Sequence, residues 1–314
     1  ESLALIFGDE ARQVKVPELL HFGSWVGGDM DGLPDVHAKT IRESCARHHA
    51  LIVNRYFLEA LRLAEKLSQS ERRTPNIPQP LRDRIEHYKS VVPAARASAP
   101  SGHDEMPYRV LLGQIAERLR ATYDHRSGQY ERVEQLTDDL QIIVNSLEAN
   151  RGRYAGLFLI RRFLRRVRTF GLHLATLDVR QNAEVHRQIV GRALAEPGWE
   201  TRTAAERVER LRDALARDES PPEVLEAAGK RALWVFEAMD YCRHRYGQAA
   251  VGSYVVSMAR DIDDVLSVLL LARWAGLVDG SNGQVSLDVA PLFESVAALD
   301  AAGPTLARLL ADPI

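Results

Sequence analysis

Four short strand-like stretches, 21–26, 172–179, 253–256 and 285–292, stand in a chain otherwise dominated by helical periodicity, and a helical run follows each of them. Val179, Val255, Val256, Val285 and Val289 give these stretches the β-branched character of buried strands. Strand followed by helix, repeated, is the order of a parallel sheet, because parallel neighbours need a crossover and a helix supplies it. Four strands cannot close an eight-stranded barrel. The expected fold class is therefore α/β, predominantly helical, with either an open sheet or part of a parallel β/α barrel of the TIM type carrying long helices.

The helical runs are read from apolar spacings of three and four. The longest covers 34–67, through Ile41, Cys45, Ile52 and Tyr56, with Asp35 as its expected N-cap. Others are expected at 81–91, 108–123, 130–147, 152–170, 183–195, 203–216, 222–246 and 261–275, the last stopping at Gly276. A final one covers 295–310, with a break near Gly303-Pro304. The proline-bearing segment 68–80 reads as a loop, and about 92–107, rich in Pro, Ala, Ser and Gly, as a flexible linker.

A chain 46% hydrophobic and 27% charged has the composition of a folded soluble protein. Its formal net charge of −2 lacks the excess of basic residues expected of a nucleic-acid binder. The apolar run 265–272 is too short to span a bilayer, no secretory signal opens the chain, and a cytoplasmic location is the default expectation. Cys45 and Cys242 form no CxxC pair and read as reduced thiols. The chain lacks an initiating Met and stops just after an amphipathic segment, so both ends are expected to be cut ends.

In β/α architectures reactive groups gather beyond the C-terminal ends of strands, and here each strand-like stretch ends in something chemically capable. After the first comes Gly27-Gly28-Asp29-Met30-Asp31-Gly32: glycines that permit close backbone approach, and two aspartates able to bind a metal, fix an arginine, or merely cap a turn. In the second, Asp178 and Arg180 share one strand face, and Arg180 offers a planar fork of donors suited to phosphate or carboxylate, or to a structural ion pair. His173 reads as a core or surface histidine. Ser257 closes the third stretch as a capping or packing hydroxyl. Glu294 follows the fourth, either as a helix-terminal carboxylate or as a ligand for a hard cation such as Mg²⁺ or Mn²⁺. The basic run from Arg151 to Arg168 is expected to meet solvent, acidic neighbours or an anionic site rather than nucleic acid.

At these stretches the chain resembles bacterial-type phosphoenolpyruvate carboxylase. Phe22 to Pro34 resembles the family's Phe-x-Ser-Trp-Met-Gly-Gly-Asp-Arg-Asp-Gly-Asn-Pro motif, with Val26, Met30 and Leu33 in place of the usual Met, Arg and Asn. The likeness continues through Leu164-Arg165-Arg166-Val167-Arg168-Thr169-Phe170-Gly171, Leu177-Asp178-Val179-Arg180-Gln181, Tyr254-Val255-Val256-Ser257-Met258-Ala259 and Pro291-Leu292-Phe293-Glu294, in the family's order.

The resemblance implies a partial barrel of that family's fold, with 1–314 a single incomplete region and a long helical insertion, about 35–170, between the first and second barrel strands. It implies carboxylation of phosphoenolpyruvate by bicarbonate to oxaloacetate and phosphate, an anaplerotic lyase reaction fixing carbon dioxide, in a homotetrameric parent. Arg180 would contact the phosphoenolpyruvate-derived ligand, with Asp29 and Asp31 as the acidic pair of the catalytic site. Trp25 and Leu292 would line the CO₂ pocket, Gly27 and Gly28 the substrate side, and Glu294 would ligate Mg²⁺ or Mn²⁺. The family's catalytic histidine motif and second metal carboxylate are absent from the sequence, so this chain is expected to lack turnover by itself. Two other readings remain at this point: a non-catalytic helical module built on that fold, and another phosphoenolpyruvate- or pyruvate-handling barrel enzyme.

Overall fold

The computed structural model describes residues 2–8, 10, 19–71, 77–97, 101–150, 152–277 and 284–314. Its elements run α1 (Ser2–Phe7), β1 (Gly23–Ser24), α2 (Ala38–Lys66), α3 (Gln79–Val91), α4 (Ala94–Ala97), α5 (Pro107–Tyr123), α6 (Val133–Ala149), α7 (Leu157–Phe170), β2 (Thr176–Asn182), α8 (Ala183–Ala193), α9 (Ala204–Ala216), α10 (Ala227–Tyr246), β3 (Val251–Ser257), α11 (Ile262–Trp274), β4 (Val289–Pro291) and α12 (Val296–Leu310). The chain forms two compact units: Glu1–Phe22 with Tyr56–Gly171, and Gly23–Arg55 with Leu172–Ile314.

The first unit is helical. Its centre is a polar network around Asp139, which is fully buried. The Asp139 carboxylate accepts from Tyr130 Oη at 2.6 Å and from Tyr88 Oη at 2.8 Å, and it is paired with Arg84. The arginines of α7 meet acidic or polar neighbours as expected: Arg161 pairs with Glu148 at 2.5 Å, Arg162 and Arg166 approach Glu59 at 3.8 and 3.7 Å, and Arg168 donates to Gln141. Arg151 lies outside the described residues. Between 92 and 107 the chain forms short helical turns, Ala94–Ala97 and Ser101–His103, while 98–100 lie outside the described residues, as does Pro75 of the 68–80 loop.

The second unit holds one four-stranded sheet in the order β1-β2-β3-β4, every pair parallel. Strand order that follows chain order without reversal is that of a barrel wall, whereas a doubly wound sheet reverses direction at a switch point. The fold is thus a mostly helical α/β arrangement with a partial β/α barrel. Its core joins Leu177, Val179, Val251, Tyr254 and Val256 of the strands to Val190, Phe236, Met239, Leu266 and Leu270 of α8, α10 and α11. Burial alternates along β2, with Leu177 and Val179 inside and Asp178 and Arg180 half-buried on the other face.

Several boundaries differ from the sequence expectation for identifiable reasons. Only Gly23–Ser24 of 21–26 pairs as strand, because the chain turns at Trp25, whose carbonyl accepts from the amides of Gly28 and Asp29. β2 begins at Thr176 rather than at 172, since Gly171 and Leu174 take positive φ, 54° and 67°, and hold 171–175 in a turn. His173 therefore precedes the strand, with burial lowering its pKa and His48 nearby adding to the effect. α2 opens at Ala38, not at Asp35: the Thr40 hydroxyl, 2.6 Å from the His37 amide, occupies the helix start instead of the Asp35 carboxylate. α12 continues through Pro304 at an exposed position, where the Asp300 carbonyl that loses its amide partner can turn to water. Cys45 and Cys242 are free and buried.

Candidate active site

The four strand ends carry the candidate side chains, and the turn after β1 ties them together. Gly27 takes a φ of 87°, and a Cβ there would lie 2.0 Å from the Ser44 hydroxyl on α2. At Gly28 a Cβ would lie 2.2 Å from the Asp178 carbonyl. These glycines let the turn lie directly on α2 and β2, so the close approach they permit is to the protein's own chain. Backbone pairing then extends past the strand: the Arg180 amide donates to the Gly28 carbonyl at 2.9 Å, and the Met30 amide to the Arg180 carbonyl at 2.8 Å. The Met30 side chain packs against the core.

This pairing sets Asp29 beside Arg180. Arg180 Nε and Nη2 donate to the two Asp29 carboxylate oxygens at 2.8 and 2.7 Å, a bidentate fork. The Trp25 ring centroid lies 4.7 Å from the guanidinium carbon, within cation–π range. The Arg180 hydrogen bonds hold the Asp29 carboxyl below the usual carboxylate range. Asp29 in turn strengthens the charge on Arg180, with smaller contributions from Asp31 and Glu294. The fork leaves the Arg180 Nη1 hydrogens without a partner among the described residues, on a half-buried guanidinium whose plane and position are fixed.

Asp31 serves two other strands. Its carboxylate accepts from Ser257 Oγ at the end of β3, at 2.7 Å, and from Asn182 Nδ2 at the end of β2, at 3.4 Å. Ser257 is wholly buried, so its hydroxyl neither caps α11 nor merely packs; it anchors the loop after β1. Asn182 also accepts from the Glu184 amide as N-cap of α8. The next residue after Ser257, Met258, sits at φ 54°, a left-handed conformation that costs energy for a residue with a Cβ. Its amide donates to Glu294 Oε2 at 2.8 Å. Glu294 therefore does not cap its own helix; Ser295 caps α12.

Trp25, Asp29 and Arg180 are thus in direct contact, Asp31 is bonded to neighbouring strand ends, and Glu294 acts electrostatically on Arg180. Leu292 enters through its backbone, its amide donating to the Val256 carbonyl and its carbonyl accepting from the Ala259 amide. Ser257, Asn182 and Met258 complete the arrangement. Asn182 had a readable signal, standing two residues after the strand-end arginine at the start of a helix; the Met258 contact had none.

The family model for phosphoenolpyruvate carboxylase matches residues 2–314. The chain belongs to the phosphoenolpyruvate carboxylase family. It is 44% identical over 299 residues to a phosphoenolpyruvate carboxylase of Xanthomonas oryzae pv. oryzae, covering 95% of this chain and 33% of that protein. Over 321 residues it is 32% identical to the phosphoenolpyruvate carboxylase of Aromatoleum aromaticum, covering 96% of this chain and 34% of the relative. A relative of the same name from Ralstonia nicotianae is 32% identical over 342 residues, covering all of this chain and 34% of itself. The chain spans about a third of the length of the curated relatives it matches.

The donor set bears on metal binding in this family member. Asp29 is committed to Arg180 and Asp31 to Ser257 and Asn182, whereas Glu294 keeps one carboxylate oxygen outside its bond to Met258. Among the described residues no group of three His, Cys, Asp or Glu side chains gathers to hold an ion. The residues present fit a hard cation held by one carboxylate from this chain and completed from elsewhere. No helix among the described residues is long and apolar enough to cross a membrane.

Proposed function

We propose that this chain is an internal part of a phosphoenolpyruvate carboxylase and contributes the anion-binding arginine and one metal carboxylate to its active site. The proposed reaction of the whole protein joins bicarbonate to phosphoenolpyruvate and releases oxaloacetate and phosphate. The reading is carried by one observation: Arg180 is gripped by Asp29, faced by Trp25, and within electrostatic reach of Glu294, all at the C-terminal ends of parallel strands.

In this reading Arg180 binds the phosphoryl or carboxylate oxygens of the substrate through its uncommitted Nη1 side. Fixed in advance by Asp29, the guanidinium needs little reorganisation as charge develops on those oxygens. Asp29 and Asp31 are positioning residues that act through Arg180 and the strand ends. Trp25 and Leu292 supply apolar surface for CO₂, where exclusion of water limits protonation of the enolate. Glu294 is a ligand for Mg²⁺ or Mn²⁺, which when bound supplies positive charge to enolate and phosphate oxygens. A homotetrameric cytoplasmic parent, with the 35–170 region as a helical insertion, completes the proposal.

The test uses the full-length parent and calorimetric titration with Mn²⁺ and a phosphoenolpyruvate analogue. Wild type binds both. Arg180→Gln loses the analogue but keeps Mn²⁺, and Glu294→Gln weakens Mn²⁺ at least tenfold. An Arg180→Gln protein that binds the analogue unchanged refutes the assignment. The 314-residue chain itself is expected to form oxaloacetate at background rate in an assay coupled to malate dehydrogenase, because positioning groups act as an assembled set.

A further inference from the structure

Asp178 is a second acidic group on the sheet face that carries Arg180, and neither the fold nor the proposed chemistry accounts for it. It sits two residues before Arg180, half-buried, with no hydrogen bond or ion pair among the described residues. Strand β3 makes room for it, while β1 stands at ordinary contact distance. A Cβ on Gly252 of β3 would lie 2.3 Å from Asp178 Oδ1, and one on Gly23 of β1 would lie 3.8 Å from Oδ2. Register also breaks here: Leu177 pairs with Val251 and Val179 with Tyr254, so β3 advances three residues while β2 advances two. Such a bulge re-aims side chains, and this one is pinned. Arg243 Nε donates to the Val251 carbonyl at 3.2 Å and Nη2 to the Gly252 carbonyl at 2.9 Å. A bulge, the bare Cα of Gly252 and a half-buried arginine therefore converge on seating one carboxylate against β3.

We propose that Asp178 is the counter-charge for a basic side chain, guanidinium or ammonium, contributed by the part of the protein outside these 314 residues. The inference rests on the reading of the four strands as an arc of a closed barrel. Closure would place this sheet face in the interior, where an unpaired carboxylate is strongly disfavoured and a paired one is tolerated. Two cations that touch this part of the sheet are already engaged, Arg180 with Asp29 and Arg243 with backbone carbonyls. The relatives are about three times the length of this chain, which leaves ample sequence to supply another.

The decisive variant is Asp178→Asn, close in shape but uncharged, in the full-length protein. A paired Asp178 leaves its partner uncompensated when neutralised, so the melting temperature should fall by about 5 °C or more. The same substitution in the 314-residue chain should leave its urea midpoint unchanged. An unchanged or raised melting temperature in the full-length protein overturns the proposal, as does an equal loss in both proteins. If the full-length variant fails to fold, suppressors are selected on a folding reporter. Recovery through replacement of one Lys or Arg outside this chain by a neutral residue supports the pairing, and suppressors confined to other residue types overturn it. Stability is the readout throughout, so the result stands apart from the Arg180 and Glu294 binding tests.

Discussion

Replacing Asp29 by Asn tests the clamp on Arg180 with little change in shape. The wild-type carboxylate takes two charge-assisted bonds, at 2.8 and 2.7 Å, from a guanidinium whose side chain is 19% exposed, its own being 18% exposed. Asn keeps one acceptor oxygen and presents an amide donor where the second was, so one bond survives. A hydrogen bond to a charged group contributes roughly 1.5–3 kcal/mol, and partial solvation pulls the figure towards the smaller values of exposed pairs. The expected loss is about 1–2 kcal/mol, read as a lower urea midpoint by tryptophan fluorescence at pH 7. Its pH dependence follows from the lowered carboxyl pKa, caused first by the Arg180 hydrogen bonds. A carboxylate with a depressed folded-state pKa contributes fully above the unfolded value, about 3.9, and loses that contribution as pH falls through the folded value. The gap between wild type and Asp29→Asn should therefore hold down to about pH 4 and close below it. Equal midpoints at pH 7, or a gap that persists in acid, would refute the claim that this ion pair orders the site.

Three further outcomes follow from the same structure. Gly28→Ala places a methyl against the Asp178 backbone carbonyl, which cannot swing aside, and should cost more than about 2 kcal/mol in chemical denaturation. His186 is buried against the Tyr254 hydroxyl at 2.8 Å, and burial pushes its pKa down to about 3. The unfolded chain binds a proton near pH 6.5 and the folded one does not. Below that pH, wild type should accordingly lose up to about 1.4 kcal/mol per pH unit relative to His186→Gln, measured by urea unfolding from pH 7 to 4.5. Asp139→Ala strands the Tyr88 and Tyr130 hydroxyls and the Arg84 charge, and should remove about 3–5 kcal/mol from the helical unit, visible as early loss of helical circular dichroism on heating.

Periodicity located the long helices because spacings of three and four reflect burial on one face, and α3, α5, α8 and α9 start and stop within about two residues of their apolar patterns. Strand ends were harder. The 172–175 segment has strand composition, yet the positive φ values at Gly171 and Leu174 are set by its packing, including a His49 ring nitrogen 2.7 Å from the Leu172 carbonyl. No local pattern encodes that contact, which spans 123 residues. The site shows the same division. Arg180 and Glu294 were legible as polar groups at the ends of apolar strands. That Asp29 would take the arginine, while Asp31 reached Ser257 226 positions away, depended on strand order, which single-chain periodicity does not contain.

The loop from Gly27 to Asp31 has a consequence for how such proteins change. Because one short segment supplies the partners of two other strand ends, its residues are coupled to substitutions far along the chain, and their effects should be epistatic rather than additive. A library that varies these positions one at a time would find mostly losses, whereas exchanging the segment as a cassette together with 180–182 and 257 would keep the matched set intact. Within the family, grafting between distant members should succeed or fail at this seam before it does in the helices around it.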